Sequence, residues 1–236
     1  MTAALLASCK QDTKDDVRLA AASDLAVAIN DLAPAFKRST GFTLTTTLGS
    51  SGQLAEQLRQ GAPFDAFASA NAAFALRASD GDACDASSRF VYAKGRIALV
   101  VHEGTAITSA RELTSVRFKK IAIANPEHAP YGRAAKEAMT HEGVFDTLLP
   151  KLVFAENIQQ ALQWVERGDA DAGIIADSLL GSRARFLMPR DPYTPLEQTF
   201  VTCKGHGNFL GGAALRAFLQ SDEAHTILER NGFDLP

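Results

Sequence analysis

The sequence is poor in the features that define several classes of protein. Its 236 residues include three cysteines, which are too few for a disulfide scaffold and lack the spacing of a zinc site. No apolar run approaches the roughly 20 residues that a membrane-spanning helix needs. Lysine and arginine total 24 against 27 acidic residues, for a net charge of -3. We therefore expect no nucleic-acid partner, because nothing in this balance attracts a polyanion.

The remaining composition is that of a soluble globular protein, with 46% hydrophobic and 22% charged residues. Apolar runs with β character alternate with segments of helical periodicity, which predicts an α/β fold of mixed sheets with helices on both faces. The predicted strands are Val17–Ala22, Phe42–Leu48, Ala66–Ser69, Arg96–Val101, Ile121–Ala124, Leu152–Ala155, Ala172–Ile175 and Thr199–Cys203. The predicted helices are Leu25–Arg38, Gln53–Gln60, one from about Asn71, Gly132–Glu142, Ile158–Arg167, Gly211–Gln220 and Asp222–Asn231.

The N-terminus carries a candidate processing signal. Leu6-Ala7-Ser8-Cys9 resembles a bacterial lipobox, after which a lipid-modified cysteine becomes the new N-terminus. The residues before it are few and lack the basic region of a secretory signal, so either the start is truncated or mis-assigned or the match is chance. If the signal operates, Cys9 is lipidated and residues 1–16 tether the protein outside the cytoplasmic membrane. The sequence leaves open whether Cys84 and Cys203 pair.

Four turns that lead from a strand into a helix carry small or amide-rich residues. Ligands of open α/β sheets bind beyond the carboxyl ends of the strands, where the following helices begin. A helix start offers unsatisfied N–H groups and about half a positive charge. Several such starts aimed at one point can hold a small dianion without lysine or arginine. The four turns are Ala22-Ser23-Asp24-Leu25, Gly49-Ser50-Ser51-Gly52, Ala129-Pro130-Tyr131-Gly132 and Glu156-Asn157-Ile158.

Taken together, these motifs resemble those of the periplasmic molybdate-binding proteins of ABC importers. The resemblance covers nearly the whole chain after residue 17. It rests on the order and spacing of Ala21-Ala22-Ser23-Asp24-Leu25, Leu48-Gly-Ser-Ser-Gly-Gln-Leu-Ala55, Gln60-Gly-Ala-Pro-Phe-Asp65 with Ser69-Ala70, Ala124-Asn-Pro-Glu-His-Ala-Pro-Tyr-Gly132, Ala155-Glu-Asn-Ile158 and Asn231-Gly-Phe233.

The resemblance implies a two-lobed type II solute-binding fold with the oxyanion in the cleft and closure by hinge motion. Lobe I would comprise residues 17–93 plus 199–236, and lobe II residues 94–198, with chain crossovers at Tyr92–Gly95 and just before Phe200. The implied ligand is molybdate or tungstate, with no further cofactor. The implied partner is an ABC permease, and we expect a monomer at the outer face of the membrane or in the periplasm. By position, the implied ligand contacts are Ser23 or Asp24, the Ser51 hydroxyl and N–H, and the N–H groups of Tyr131 and Ile158.

Asp24 departs from the resemblance, because members have serine or asparagine as a donor there. An ionised carboxylate only accepts hydrogen bonds, and about 4 Å from a dianion it would be strongly repelled. We expect Asp24 to turn away and cap its own helix while Ser23 faces the ligand. The alternatives are that Asp24 is protonated when the ligand is bound, or that the ligand is another oxyanion such as sulfate, thiosulfate or chromate.

Catalysis has little support in the sequence. Gly49-Ser-Ser-Gly-Gln53 is not a G-x-S-x-G nucleophile elbow, because a glycine falls one place early. The histidines show no zinc spacing, and His128, beside the predicted site, is expected to cap its loop. We therefore predict a binding protein and not an enzyme, and a hydrolase that uses Ser51 is the alternative from another class.

Overall fold

The computed structural model describes residues 15–103 and 107–236, so Cys9 and the rest of the candidate lipobox lie outside the described residues. The strands are β1 (Asp16–Ala22), β2 (Thr43–Gly49), β3 (Ala66–Ser69), β4 (Phe90–Gly95), β5 (Ile97–Val101), β6 (Ile121–Ala124), β7 (Leu152–Ala155), β8 (Ala172–Ala176), β9 (Phe186–Leu187) and β10 (Leu196–Thr202). The α-helices are α1 (Ile29–Thr40), α2 (Ser51–Arg59), α3 (Ala72–Ser79), α4 (Pro130–His141), α5 (Phe145–Leu148), α6 (Ile158–Arg167), α7 (Phe209–Leu219) and α8 (Asp222–Arg230).

The first sheet has the strand order β2-β1-β3-β10-β4. Strand β1 runs parallel to β2 and β3, whereas β10 is antiparallel to both β3 and β4. One face buries apolar side chains of α1, α7 and α8, including Phe36, Phe218 and Leu228. The other face packs with α2 and α3, which contribute Leu54 and Phe74. We call this sheet with its helices the first lobe.

The second sheet has the order β7-β6-β8-β5-β9. Strand β6 runs parallel to β7 and β8, and β5 is antiparallel to β8 and β9. Its strands β6 and β8, Ile121–Ala124 and Ala172–Ala176, are continuous apolar runs and are fully buried, as expected of strands covered by helices on both faces. Helices α4, α5 and α6 contribute Ala135, Leu148 and Leu162 to this core. We call this sheet with its helices the second lobe.

Helix starts follow the capping chemistry visible in the sequence. Ser50 caps α2, where its Oγ accepts the N–H of Gln53, and Asn157 caps α6 through the N–H of Gln160. Ser221 separates α7 from α8 and accepts the N–H of Ala224. Each cap satisfies one of the amides that a first helical turn leaves without a partner and leaves its neighbours free.

The crossovers between the lobes differ from the prediction. Residues 92–95 belong to β4, which reaches Gly95, and the chain enters the second sheet at Ile97. The return occurs before β10, which begins at Leu196 rather than just before Phe200. The sequence pattern did not reveal β4, because Phe90–Gly95 mixes polar and apolar residues and ends in glycine. Residues 94–95 and 196–198 therefore lie in the first sheet, while the lobe boundaries at 93/94 and 198/199 stay a prediction.

A disulfide bond joins Cys84 to Cys203, which are 119 residues apart in the chain. Both cysteines are buried beneath the face of the first sheet that carries α2 and α3. The bond links the loop after α3 to the end of β10 and so closes a loop that includes the entire second sheet. Within residues 15–103 and 107–236, no helix combines the length and the apolar character needed to cross a bilayer.

Candidate functional site

The residues predicted to bind a ligand lie together in a small cavity between the two lobes. Ser23, Asp24, Ser51, Tyr131 and Ile158 all line it, although they come from four separate parts of the chain. The cavity is small, and its other lining residues are small or apolar: Ala22, Gly49, Ser50, Ala70, Ala129 and Pro130. Among the described residues that line it, none is lysine, arginine or histidine.

The first lobe provides donors at the start of α2. The Ser51 Oγ accepts the N–H of Ala70 at 3.0 Å, which leaves the hydroxyl proton available for a ligand. The N–H of Gly52 and the N–H of Gln53 have partners, but within the described chain no acceptor takes the N–H of Ser51. Ser23 also lines the cavity, and its Oγ has no hydrogen-bond partner among the described residues.

The second lobe provides donors at the starts of α4 and α6. Pro130 occupies the first position of α4, where its lack of an N–H costs nothing and its ring favours helical backbone angles. The next amide, that of Tyr131, has no acceptor within residues 15–103 and 107–236, and neither has the amide of Ile158 at the start of α6. Helix starts from both lobes thus direct free amides towards one small space, which favours an anion.

The lobes contact each other directly around this cavity. The N–H of Gly52 donates to the carbonyl oxygen of His128 at 2.9 Å, and Gln53 Nε2 donates to Glu156 Oε2 at 2.6 Å. On the opposite side, Ser178 Oγ donates to the carbonyl oxygen of Asp24 at 2.8 Å. The cavity is therefore bordered by hydrogen bonds that exist only when the lobes are together, as in a closed binding protein.

Asp24 does not cap its own helix, so that part of the expectation is wrong, and its carboxyl instead contacts the other lobe beside the cavity. It lies in a short 3-10 turn at Ser23–Leu25 that has no side-chain cap, and α1 begins only at Ile29. Its Oδ2 accepts a hydrogen bond from the Tyr131 hydroxyl of the second lobe at 2.8 Å. The Tyr131 hydroxyl thus donates to Asp24, while the backbone N–H of Tyr131 lies at the cavity.

Burial dominates the electrostatics of Asp24, which is completely buried. Desolvation raises the pKa of its carboxyl to about 7, against smaller opposing contributions led by the Tyr131 hydrogen bond. The second oxygen, Oδ1, has no partner with hydrogen-bond geometry in the described part of the chain. The same burial, together with the negative charge of Asp24, raises the pKa of Tyr131 well above its ordinary value.

The network around Asp24 includes residues that sequence reasoning missed. Gln198 of β10 donates weakly to the Tyr131 hydroxyl at 3.4 Å, and its Oε1 accepts from the Tyr92 hydroxyl at 3.3 Å. A Cβ at Gly95 would lie 2.1 Å from the Tyr131 hydroxyl oxygen, so glycine is required there. These contacts join residues more than thirty positions apart, and no local motif predicts them.

His128 sits behind the cavity. Its Nδ1 lies 2.8 Å from the Oγ of Ser50, which is the α2 cap, and its carbonyl oxygen accepts from Gly52. The His128 ring thus contacts the opposite lobe, and in the described residues it makes no hydrogen bond to its own loop, so the expected loop cap is not found. Ser51, the candidate nucleophile, has no basic partner among the described residues. In the same part of the chain, no group of histidine, cysteine and acidic residues could hold a metal ion.

Comparison with known proteins identifies the family of the chain. A family model described as bacterial extracellular solute-binding protein matches residues 17–234. The chain belongs to this family. Its fold is accordingly the two-lobed α/β fold of a type II binding protein.

Named molybdate-binding proteins are among its relatives. The chain is 33% identical over 221 residues to the molybdate-binding protein ModA of Rhodobacter capsulatus, covering 92% of this chain and 88% of that protein. It is 33% identical over 228 residues to ModA of Escherichia coli K12, covering 91% and 87%. Its structure resembles the periplasmic molybdate-binding protein of Azotobacter vinelandii, with a TM-score of 0.88, 26% identity and coverage of 93% and 99%.

Proposed function

We propose that this solute-binding protein captures a tetrahedral oxyanion, molybdate or tungstate, in the cavity between its lobes and delivers it to an ABC importer in the membrane. It acts by binding and lobe closure as a monomer. It carries out no chemistry and needs no cofactor. The ligand contacts are the hydroxyls of Ser23 and Ser51 and the N–H groups of Ser51, Tyr131 and Ile158.

One observation carries this proposal: hydroxyl and amide donors from both lobes surround a small cavity, and none of the described residues that line it has a cationic side chain. Fixed N–H dipoles at helix starts stabilise an anion without a mobile counter-ion. They also have no acceptor to offer, so a ligand without protons of its own satisfies them best. A fully deprotonated oxyanion matches this set of donors.

The size of the cavity limits the ligand further. The space enclosed by the lining residues is far smaller than the roughly 300–1,000 Å³ usual for drug-sized or cofactor ligands. A space this small excludes a sugar phosphate or a nucleotide and favours a small inorganic anion. The names of the relatives, molybdate-binding proteins in three organisms, favour molybdate and tungstate over sulfate, thiosulfate or chromate.

A thermal-shift and calorimetry panel of oxyanions tests the proposal. A ligand at about 100 times its dissociation constant stabilises the fold by about 2.7 kcal/mol, so molybdate and tungstate should raise the melting temperature clearly. Sulfate, thiosulfate, chromate and phosphate serve as competitors. If sulfate alone stabilised the protein, the ligand would be sulfate instead of molybdate or tungstate, and the assignment of the binding site would stand. Failure of every oxyanion to bind would exclude the proposed function.

The hydrolase alternative finds no support in the contacts of Ser51. Its Oγ accepts the Ala70 amide, and the nearest histidine contact involves Ser50 instead. Nucleophilic serine catalysis requires a base within hydrogen-bond reach of the nucleophile. A screen with ester substrates, with the Ser51→Ala variant as control, completes the comparison. We expect no turnover above the variant.

The family is extracellular by description, and we infer that the protein works at the outer face of the cytoplasmic membrane. The lipobox-like Leu6-Ala7-Ser8-Cys9 supports a diacylglyceryl anchor on Cys9. Intact-mass analysis of protein from the membrane fraction should reveal this adduct. An unmodified chain in the soluble fraction would exclude the anchor.

A further inference from the structure

The cavity contains an acidic side chain where an anion site should have none. Asp24 lines the cavity together with Ser51, Tyr131 and Ile158, and it is completely buried. Its Oδ2 is occupied by the Tyr131 hydroxyl, whereas Oδ1 has no partner among the described residues. A buried polar atom without a partner is rare in folded proteins and calls for an explanation.

An ionised Asp24 would oppose the proposed ligand. A carboxylate accepts hydrogen bonds and cannot donate them, so it would face the oxygen atoms of a dianion with like charge and no hydrogen between them. Such repulsion is strong where solvent is excluded. A proton on Oδ1 removes both difficulties, because it neutralises the carboxyl and turns the unpartnered oxygen into a donor.

Among the described residues, no cation interacts with Asp24 to hold it ionised. The titratable groups that interact with it are two tyrosines, Tyr131 of α4 and Tyr92 of β4, and Tyr193 lies beyond them, near Tyr131. Gln198 of β10 is uncharged. The neighbouring 3-10 turn carries the buried Asp177, whose charge is already paired with Arg96 and Arg185. His128 contacts Ser50 on α2 and makes no hydrogen bond to Asp24.

We propose that Asp24 and the bound oxyanion share one proton, so that each dianion is captured together with one proton. The inference rests on the proposed function and specifies the form in which the ligand is held. The carboxylate takes the proton from solvent as the lobes close, and Oδ1–H then donates to a ligand oxygen. Oδ2 continues to accept from Tyr131. Reopening of the lobes returns the proton to solvent with the anion, so no bond other than O–H forms or breaks.

The shared proton makes the affinity for the oxyanion depend on pH. Above about neutral pH, the unliganded carboxyl is ionised and must gain a proton on binding, which is linkage of binding to protonation. Affinity should then fall by about tenfold for each pH unit. With asparagine at position 24, the Nδ2 group supplies a donor without a proton from solvent. Asp24→Asn should therefore bind as well as or better than the wild type at alkaline pH, with a nearly flat profile.

Isothermal titration with molybdate at about pH 8, in two buffers of different ionisation enthalpy, measures the protons taken up. We expect about one proton per anion for the wild-type protein and none for Asp24→Asn. His128→Gln controls for the other nearby titratable group and should keep the wild-type uptake. Tyr131→Phe retains the backbone donor but loses the hydrogen bond that stabilises the ionised carboxyl, so its affinity should begin to fall at a higher pH.

Uptake near zero in the wild-type protein, or equal uptake in Asp24→Asn, overturns the shared proton while leaving oxyanion binding intact. Absence of binding by every variant overturns the proposed function itself and, with it, this inference. If Asp24→Asn fails to fold, the uptake of the wild-type protein and the shift in Tyr131→Phe still decide the matter. Absence of proton uptake by the wild-type protein, together with an unchanged pH dependence in Tyr131→Phe, would then refute the shared proton.

Discussion

The backbone N–H of Gly52 donates to the carbonyl oxygen of His128 across 2.9 Å, joining the start of α2 in one lobe to the loop before α4 in the other. A Cβ at position 52 would lie 2.7 Å from that oxygen and 2.9 Å from the His128 Cβ. Only glycine permits this approach. The serine-rich turn thus combines the free N–H of Ser51 with a surface on which the other lobe closes.

Gly52→Ala should weaken molybdate binding, because the added methyl group forces the lobes apart and misplaces the donors of α4. Overpacking of this kind costs about 1–3 kcal/mol, equivalent to roughly a tenfold to hundredfold loss of affinity. Calorimetry gives the affinity, and small-angle scattering reports whether the liganded protein still closes. Gly81→Ala, where no atom lies within 4 Å of the new Cβ, is the matched control and should bind like the wild type.

Ser51→Ala removes a hydroxyl that already accepts the Ala70 amide and is free to donate to the ligand. Loss of a donor to a buried charge costs about 1–3 kcal/mol, and we expect molybdate affinity to fall accordingly. Calorimetry at fixed pH measures the change. Ser87→Ala, at an exposed position on the first lobe, provides the comparison. Equal affinity in the two variants would show that the oxyanion binds elsewhere.

Asp24 should make the unliganded protein less stable as pH rises. Its pKa in the folded protein is about 7 against an ordinary 3.8, so the folded state binds more protons than the unfolded chain between those values. Stability contributed by the neutral carboxyl is present below about pH 4 and is lost as pH approaches 7. The full effect is up to about 4 kcal/mol, at about 1.4 kcal/mol per pKa unit.

Asp24→Asn isolates this contribution. Urea unfolding of both proteins should give similar stability at about pH 4 and a more stable variant at about pH 8, following the difference in bound protons. A difference between the two proteins that does not change with pH would mean that Asp24 titrates in the folded protein much as it does in the unfolded chain.

Replacing Cys84 and Cys203 together with serine should destabilise the protein by roughly 3–5 kcal/mol, because the bond closes a long loop. The cross-linked residues are 119 positions apart and do not line the cavity. Molybdate affinity of the folded variant should therefore remain near that of the wild type. Chemical unfolding with and without reductant measures the stability. A large loss of affinity with unchanged stability would contradict this assignment of roles.

Much of the fold could be predicted from local patterns. Strands Ala66–Ser69, Ile121–Ala124 and Leu152–Ala155 have the predicted bounds, because each is a short apolar run between polar turns. Strand β9 has only two residues, too few to produce a pattern. The predicted helix Leu25–Arg38 begins instead at Ile29, since a 3-10 turn at Ser23–Leu25 places Asp24 against the other lobe.

Part of the candidate site could also be predicted from local sequence patterns. Small residues at strand-to-helix turns identified Ser23, Ser51, Tyr131 and Ile158, which the structure brings into one cavity. The contact between Asp24 and the Tyr131 hydroxyl could not be predicted, because it joins residues 107 positions apart. Its existence depends on how the lobes meet, and periodicity carries no information about that.

Strand β10 has a consequence for how the chain is made. It lies between β3 and β4 in the first sheet, yet it follows them by more than a hundred residues and comes after the whole second sheet. During synthesis, the N-terminal half of the chain therefore cannot complete the first sheet. Strands β3 and β4 each keep an unpaired edge until Leu196–Thr202 has been synthesised. The first sheet therefore cannot reach its full strand order until nearly the whole chain has been synthesised.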